Sequence, residues 1–164
     1  MMRQIGKEIL TIAALLTALL LVAPVSAASV ITAIVTDPLS GVAIDGYDPV
    51  SYFTDPEPRQ GKPDFEYYWG GVPWYFVSAA NRDVFIRAPE VYAPQYGGYC
   101  QMALARGFLS DGKPGIYLVR RDKLYLFYST ANRDAFELAE AEAEAKAGAN
   151  WPKLSATLIA ERSH

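Results

Sequence analysis

The sequence predicts an α+β domain in which two β-hairpins form a small antiparallel sheet. Each hairpin is followed by a helix, and the helices pack mainly on one face. The first observation is a repeat 51 residues apart, because 74–85 and 125–136 share Phe, Ser, Ala, Asn, Arg, Asp and Phe at matching positions. The second is that each copy passes from an apolar, β-prone run into a helix start marked by Ser and Asn. The third is that another β-prone run precedes each copy, and such segregated strands and helices are typical of α+β folds.

The first 27 residues have the pattern of a secretory signal. Arg3 and Lys7 precede an apolar run from Ile9 to Ala23, and small residues follow up to Ala27. About 20 apolar residues are needed to span a bilayer, and this run is shorter. Cleavage after Ala27 is therefore predicted, with a retained membrane anchor as the alternative. The expected location is the bacterial periplasm or the medium.

The remaining chain is long enough for one domain. We expect an extended lead-in over 28–40, an α+β domain over 41–154 and a C-terminal tail over 155–164. The formal net charge of the 164 residues is −3, and no cluster of Lys and Arg is present, so nucleic acid is not an expected partner.

The first predicted unit comprises a short helix from Asp48 to Phe53, strands over 65–69 and 72–77, and a helix from Ser78 to Ala88. Asp48 suits the N-cap of the short helix, with Pro49 in its first turn. Gly70-Gly71 suits a two-residue hairpin turn with positive φ. Pro89 stops the second helix.

The second predicted unit comprises a helix over 99–106, strands over 116–120 and 124–128, and a long helix over 129–147. Gly107 ends the first of these helices. Asn150-Trp151-Pro152 is expected to end the domain. The repeated aromatic positions, Phe76 with Phe127 and Phe85 with Phe136, are the predicted core.

Several motifs of the chain resemble the YHS domain family. They are Asp48-Pro49-Val50, Tyr68 with Gly70-Gly71, Tyr75-Phe76-Val77-Ser78, Phe85, Pro89 and Tyr92. In that family an Asp-Pro-Val start leads to a hairpin, a Tyr-Phe-Cys-Ser strand end and a helix closing on Phe and Pro-x-x-Tyr. The stretch 44–154 is also similar to small exported bacterial YHS proteins, through residues 46–53, 92–100 and 150–154.

The resemblance implies a binding protein involved in handling a soft metal such as copper. Many YHS domains carry cysteines at three places that are Ser51, Val77 and Asn81 in this chain. Soft metals need thiolate, thioether or imidazole ligands. The candidate metal ligands are therefore Cys100, which is the single cysteine, and Met102.

Cys100 has three interpretations. It follows Gly97-Gly98 in the first turn of a predicted helix, where free N–H groups and the helix dipole favour a thiolate. With Met102 it forms a Cu(I) site only if that turn is broken, because residues two apart on a helix do not face each other. It can instead form a mixed disulfide with a partner, or be a buried and inert thiol.

A group of tyrosines is the second candidate site. Tyr47, Tyr52, Tyr96 and Tyr99 lie in segments flanking the first hairpin unit and can line a pocket for a small ligand. The alternative is a structural role, with the hydroxyl groups bonded to backbone. Asp45 and Asp48 are interpreted as turn and cap residues rather than as a catalytic pair.

The sequence predicts an exported, non-enzymatic YHS-like binding module. The single histidine, His164, is the last residue, so no triad or multi-histidine metal site is expected. The alternatives are a thiol or redox protein that uses Cys100, and a tyrosine-rich module that docks a periplasmic or membrane protein.

Overall fold

The computed structural model describes residues 34–161, with side chains described as far as Leu158. The predicted signal peptide and residues 28–33 of the lead-in lie outside the described residues. No helix within 34–161 has both the length and the apolar composition that crossing a membrane would require.

The described chain alternates short helices with two hairpins. The elements in chain order are α1 (Ser51–Thr54), β1 (Lys62–Trp69), β2 (Val72–Phe76), α2 (Ala79–Arg87), α3 (Pro89–Tyr92), α4 (Gln101–Ala105), β3 (Lys113–Arg120), β4 (Lys123–Phe127), α5 (Thr130–Leu138) and α6 (Glu140–Glu161). Two 3₁₀ turns, Ile44–Gly46 and Gln95–Gly98, precede α1 and α4. The predicted α+β class is confirmed, and each hairpin is followed by a helix.

The two hairpins form separate two-stranded antiparallel sheets, β1–β2 and β3–β4. The predicted turn at Gly70-Gly71 is correct, and the second hairpin turns at Arg121-Asp122. Gly70 and Gly71 have φ of 63° and 84°, and Arg121 and Asp122 have φ of 50° and 57°. Two consecutive residues with positive φ give a turn whose twist matches that of the strands, which is why glycine is common there.

The structure extends the repeat well beyond the matching sequence segments. Lys62 pairs with Phe76 and Lys113 with Phe127, and both hairpins then shift register before the next pair. Both units also begin with the same backbone bridge, Tyr47 to Gln60 in the first and Tyr99 to Asp111 in the second. The domain is therefore two copies of one unit, running from a 3₁₀ turn through a short helix and a hairpin to a longer helix.

Strand β4 separates two clusters of the core. Leu124 and Leu126 belong to the cluster that contains Trp74, Phe76 and Phe85 of the first unit. Tyr125 and Phe127 belong to a second cluster, with Phe136, Cys100 and Ala143. Successive side chains of a strand point to opposite faces, so β4 buries one face against each unit. All four phenylalanines predicted as core, Phe76, Phe85, Phe127 and Phe136, have no exposed surface.

The segment before the first unit belongs to the domain. Ile34 and Val35 are buried at 3% and 6% exposure. The Val35 N–H donates to Gly97 O at 2.8 Å, and its carbonyl accepts from Ile44 N at 2.9 Å. The lead-in thus bonds to both units.

The prediction of one helix over 129–147 is wrong in two respects. The chain leaves helical geometry at Ala139, with φ −142° and ψ 41°, so that α5 and α6 are separate helices. Helix α6 then continues through Pro152. Contacts around the proline hold the helix in place: Trp151 packs on Tyr96 and Tyr99 with ring centroids 5.4 Å and 5.9 Å away, and Asn150 Nδ2 donates to Leu104 O at 2.8 Å.

Candidate functional site

Asp48 is a fully buried carboxylate that connects three parts of the first unit. Its Oδ1 accepts from Val50 N at 2.8 Å, at the start of α1. Its Oδ2 accepts from Val77 N at 2.9 Å and from Asn81 Nδ2 at 2.7 Å, at the end of β2 and in α2. Buried charge is costly unless it is hydrogen-bonded, and these donors satisfy it. The prediction that Asp48 is the N-cap residue is wrong, because the helix begins at Ser51 with Val50 as its N-cap residue and has no side-chain cap. Asp48 instead holds the turn before the helix, and its bond to α2 was not foreseen.

Cys100 occupies the place of Asp48 in the second unit. The Asp48 N–H donates to Arg59 O at 2.9 Å, and the Cys100 N–H donates to Ser110 O at 2.8 Å. Asn132, which corresponds to Asn81, directs Nδ2 at Cys100 Sγ over 3.5 Å. Each residue therefore faces the asparagine of the following helix. Cys100 precedes α4 as its N-cap residue, with φ −59° and ψ 114°, and does not lie in its first turn.

The two predicted metal ligands are associated with the same apolar cluster. Cys100 has no exposed surface, and Met102 packs against the apolar cluster that contains it. Met102 also lines a surface cavity of about 220 Å³ with Arg106 and residues of α6. Within residues 34–161, no three His, Cys, Asp or Glu side chains are grouped so as to hold a metal ion. Cys100 and Met102 would need a ligand of another kind to complete a site.

The four predicted pocket tyrosines do not form one pocket. Tyr52 is buried, its hydroxyl donates to Pro114 O at 2.9 Å, and its ring meets Tyr117 edge-on at 5.0 Å. Burial, with Tyr47 and Tyr117 nearby, raises the pKa of the Tyr52 phenol above its ordinary value. Tyr52 is thus a structural residue that fastens α1 to β3. Tyr47 and Tyr117 line a separate surface cavity of about 340 Å³.

Tyr99 and Tyr96 lie on the other side of the domain. Tyr99 is buried and packs on Trp151. Tyr96 is partly buried and has φ of 52°, in the left-handed region that non-glycine residues adopt infrequently. This conformation, in the 3₁₀ turn before α4, accompanies the placement of the Tyr96 ring beside helix α6.

A cavity of about 390 Å³ opens between this 3₁₀ turn, β4 and α6. Its lining residues are Gln95, Tyr96, Lys123, Tyr125, Ala141, Glu144 and Ala145. Volumes above about 300 Å³ are typical of small-molecule pockets, in which a few polar groups converge among apolar ones. Here two phenol rings and two alanine methyl groups supply the apolar wall. An ammonium, a carboxylate and an amide supply the polar groups.

Glu144 is the electrostatic centre of this cavity. Its Oε1 accepts a short hydrogen bond from the Tyr125 hydroxyl, and its Oε2 accepts from Arg121 Nη2 at 2.9 Å. The same Arg121 nitrogen lies 2.6 Å from Glu140 Oε1. Burial, then the Glu144 carboxylate, raises the pKa of both Tyr96 and Tyr125. Both phenols therefore remain protonated donors near neutral pH.

Sequence reasoning missed six of these seven lining residues, all but Tyr96, as well as Arg121. Lys123 and Tyr125 come from the second hairpin, whereas Glu144 comes from the predicted long helix, to which no site residue was assigned. One available signal was the repeat itself, in which Tyr125 corresponds to Trp74 of the first unit. Tyr125 therefore occupies a predicted core position but carries a hydroxyl group.

Comparison of the chain with protein-family models, with curated proteins and with solved structures gave no match. The similarity to YHS domains therefore rests on the motifs in the sequence itself.

Proposed function

We propose that the chain is an exported, non-enzymatic, YHS-like binding module, and that the cavity between β4 and α6 is its ligand site. One observation carries the proposal: Tyr96, Lys123, Tyr125 and Glu144 come from three separate elements and converge on one cavity of about 390 Å³. Convergence of polar groups with aromatic walls is the usual construction of a small-ligand pocket.

The scaffold around this cavity supports binding without large movement. Strand β4 is buried on both faces, and Trp151 and Asn150 attach α6 to the rest of the domain. A pocket held by such packing is largely formed before the ligand arrives, which lowers the entropic cost of binding. We infer export to the bacterial periplasm from the signal pattern of residues 1–27.

A ligand screen with a blocked variant tests the proposal. Small molecules of anionic, neutral and cationic character are screened against the protein by two-dimensional NMR. Ala145→Trp fills the cavity from the exposed surface of α6, and Ala156→Trp adds the same ring at an exposed position further along that helix. We expect ligands whose binding is lost in Ala145→Trp and kept in Ala156→Trp. Failure to find any such ligand would refute the assignment of this cavity.

Copper handling is the second proposal, and the packing of Met102 against the Cys100 cluster favours it. Titration of the reduced protein with Cu(I) against a competing chelator, beside Cys100→Ala, tests it. Tight stoichiometric binding that the variant loses would establish a metal site based on Cys100. Equal, weak binding by both proteins would exclude Cys100 as a ligand.

A further inference from the structure

The polar groups of the cavity differ in how far the protein already satisfies them. Glu144 accepts hydrogen bonds from Tyr125 and Arg121, and it shares that guanidinium with Glu140. A cationic ligand would have to displace Arg121 to gain an ion pair with Glu144. The one carboxylate that lines this cavity is therefore poorly placed to attract a ligand.

Two other donors that line the cavity, Lys123 and Tyr96, are unused by contrast. Among the residues that the structure describes, Lys123 has no carboxylate within ion-pair distance. In the same part of the chain the Tyr96 hydroxyl donates no hydrogen bond, although it lies close to Gly148 and lines the cavity. The unused capacity of the site is therefore an ammonium group and a phenolic donor.

The apolar wall of the cavity indicates what kind of apolar body a ligand would carry. The rings of Tyr96 and Tyr125 and the methyl groups of Ala141 and Ala145 suit a planar or compact apolar body. Charge-assisted hydrogen bonds to a carboxylate are about twice as strong as neutral ones. An acid held by Lys123 and Tyr96, with its apolar body against the tyrosine rings, would satisfy both parts at once.

We infer that the cavity binds small organic acids, with Lys123 and Tyr96 holding the carboxylate. This inference rests on the proposed function and names its ligand class. Nothing in it requires a metal or the Cys100 thiol.

Three probes that differ in one group test the ligand class: 4-hydroxyphenylacetate, its neutral amide and the cationic amine tyramine. Dissociation constants are measured by NMR titration, and residues 96, 123 and 145 report the location. We expect the acid to bind at least tenfold more tightly than the amide or the amine. Lys123→Met should weaken binding of the acid about tenfold and remove its advantage over the amide. The control Lys153→Met, at an exposed position of α6, should leave all three constants unchanged.

The outcomes separate this inference from the proposed function. If the amide or the amine binds in the cavity as tightly as the acid, the ligand class is wrong and the binding site stands. The same conclusion follows if none of these probes binds while the screen yields only neutral or cationic ligands that Ala145→Trp excludes. If the screen yields no such ligand and no probe binds, both the site and the ligand class are refuted.

Discussion

Removal of the Asp48 carboxylate should destabilise the domain far more than removal of the Cys100 thiol. In Asp48→Ala, two backbone N–H groups and the Asn81 amide lose their acceptors. An unsatisfied buried donor costs about 1 to 3 kcal/mol. Because Val77 and Asn81 are only partly buried, water can replace part of the loss, and we expect a cost of about 4 kcal/mol. That is a large fraction of the roughly 5 to 15 kcal/mol that stabilises a typical domain.

The repeat provides the matched control. Cys100→Ala removes a buried sulfur atom with a single weak contact from Asn132, so the cost should be about 1 kcal/mol from lost apolar burial. Asp48→Asn retains an acceptor oxygen and should fall between the two variants.

Urea unfolding followed by tryptophan fluorescence measures these differences, provided that the slope of the transition is unchanged between variants. Trp69 and Trp74 report on the first unit, and Trp151 reports on α6. If Asp48→Ala costs no more than Cys100→Ala, the three hydrogen bonds do not connect the unit as described here.

Three further predictions concern close packing, thiol access and alkaline pH. Gly112→Ala should destabilise the protein by at least about 2 kcal/mol, because the added Cβ would lie 2.5 Å from Gly98 O and from Leu126 Cβ. The control Gly115→Ala should be nearly neutral in the same urea assay, because no atom lies within 4 Å of the added Cβ. The Cys100 thiol has no exposed surface, so we expect reaction with a disulfide reagent to be slow in the folded protein and fast in denaturant; equal rates would contradict the burial. Burial raises the pKa of Tyr52, so the unfolded chain loses that proton near pH 10 while the folded chain keeps it. This phenol's contribution to stability is complete below pH 10 and falls above it by about 1.4 kcal/mol per pH unit. Tyr52→Phe should reduce the measured slope of unfolding free energy against pH between 10 and 11.

The hairpins and their helices were predictable because their signals are local. Gly70-Gly71 marks a turn, and Ser78 and Ser129 accept from the N–H groups of Asn81 and Asn132 as N-caps should. The full repeat was less visible, although Gly-Lys-Pro at 61–63 recurs at 112–114. Earlier in each unit the offset changes by one residue, so Gly46-Tyr47 corresponds to Gly98-Tyr99. This change of register conceals the correspondence of Asp48 with Cys100.

The candidate site was less predictable because it depends on contacts between distant segments. The four tyrosines were grouped by their nearness in the chain, but Tyr52 turns to Pro114 while Tyr96 and Tyr99 turn to Trp151. The continuation of α6 through Pro152 depends on such contacts too, since proline alone would favour a helix end. Local propensity does not contain this information.

The bonds of Val35 to Ile44 and Gly97 have a consequence under the proposed export, in which the chain would emerge from a translocation channel with its N-terminus first. The segment at Val35 leaves the channel early, but its partner carbonyl at Gly97 follows only after the whole first hairpin and its helix. Each hairpin is local in sequence and can form soon after it emerges. We expect the leading segment to settle only when the second unit has begun to follow, so the end of the domain that appears first is among the last parts to become fixed.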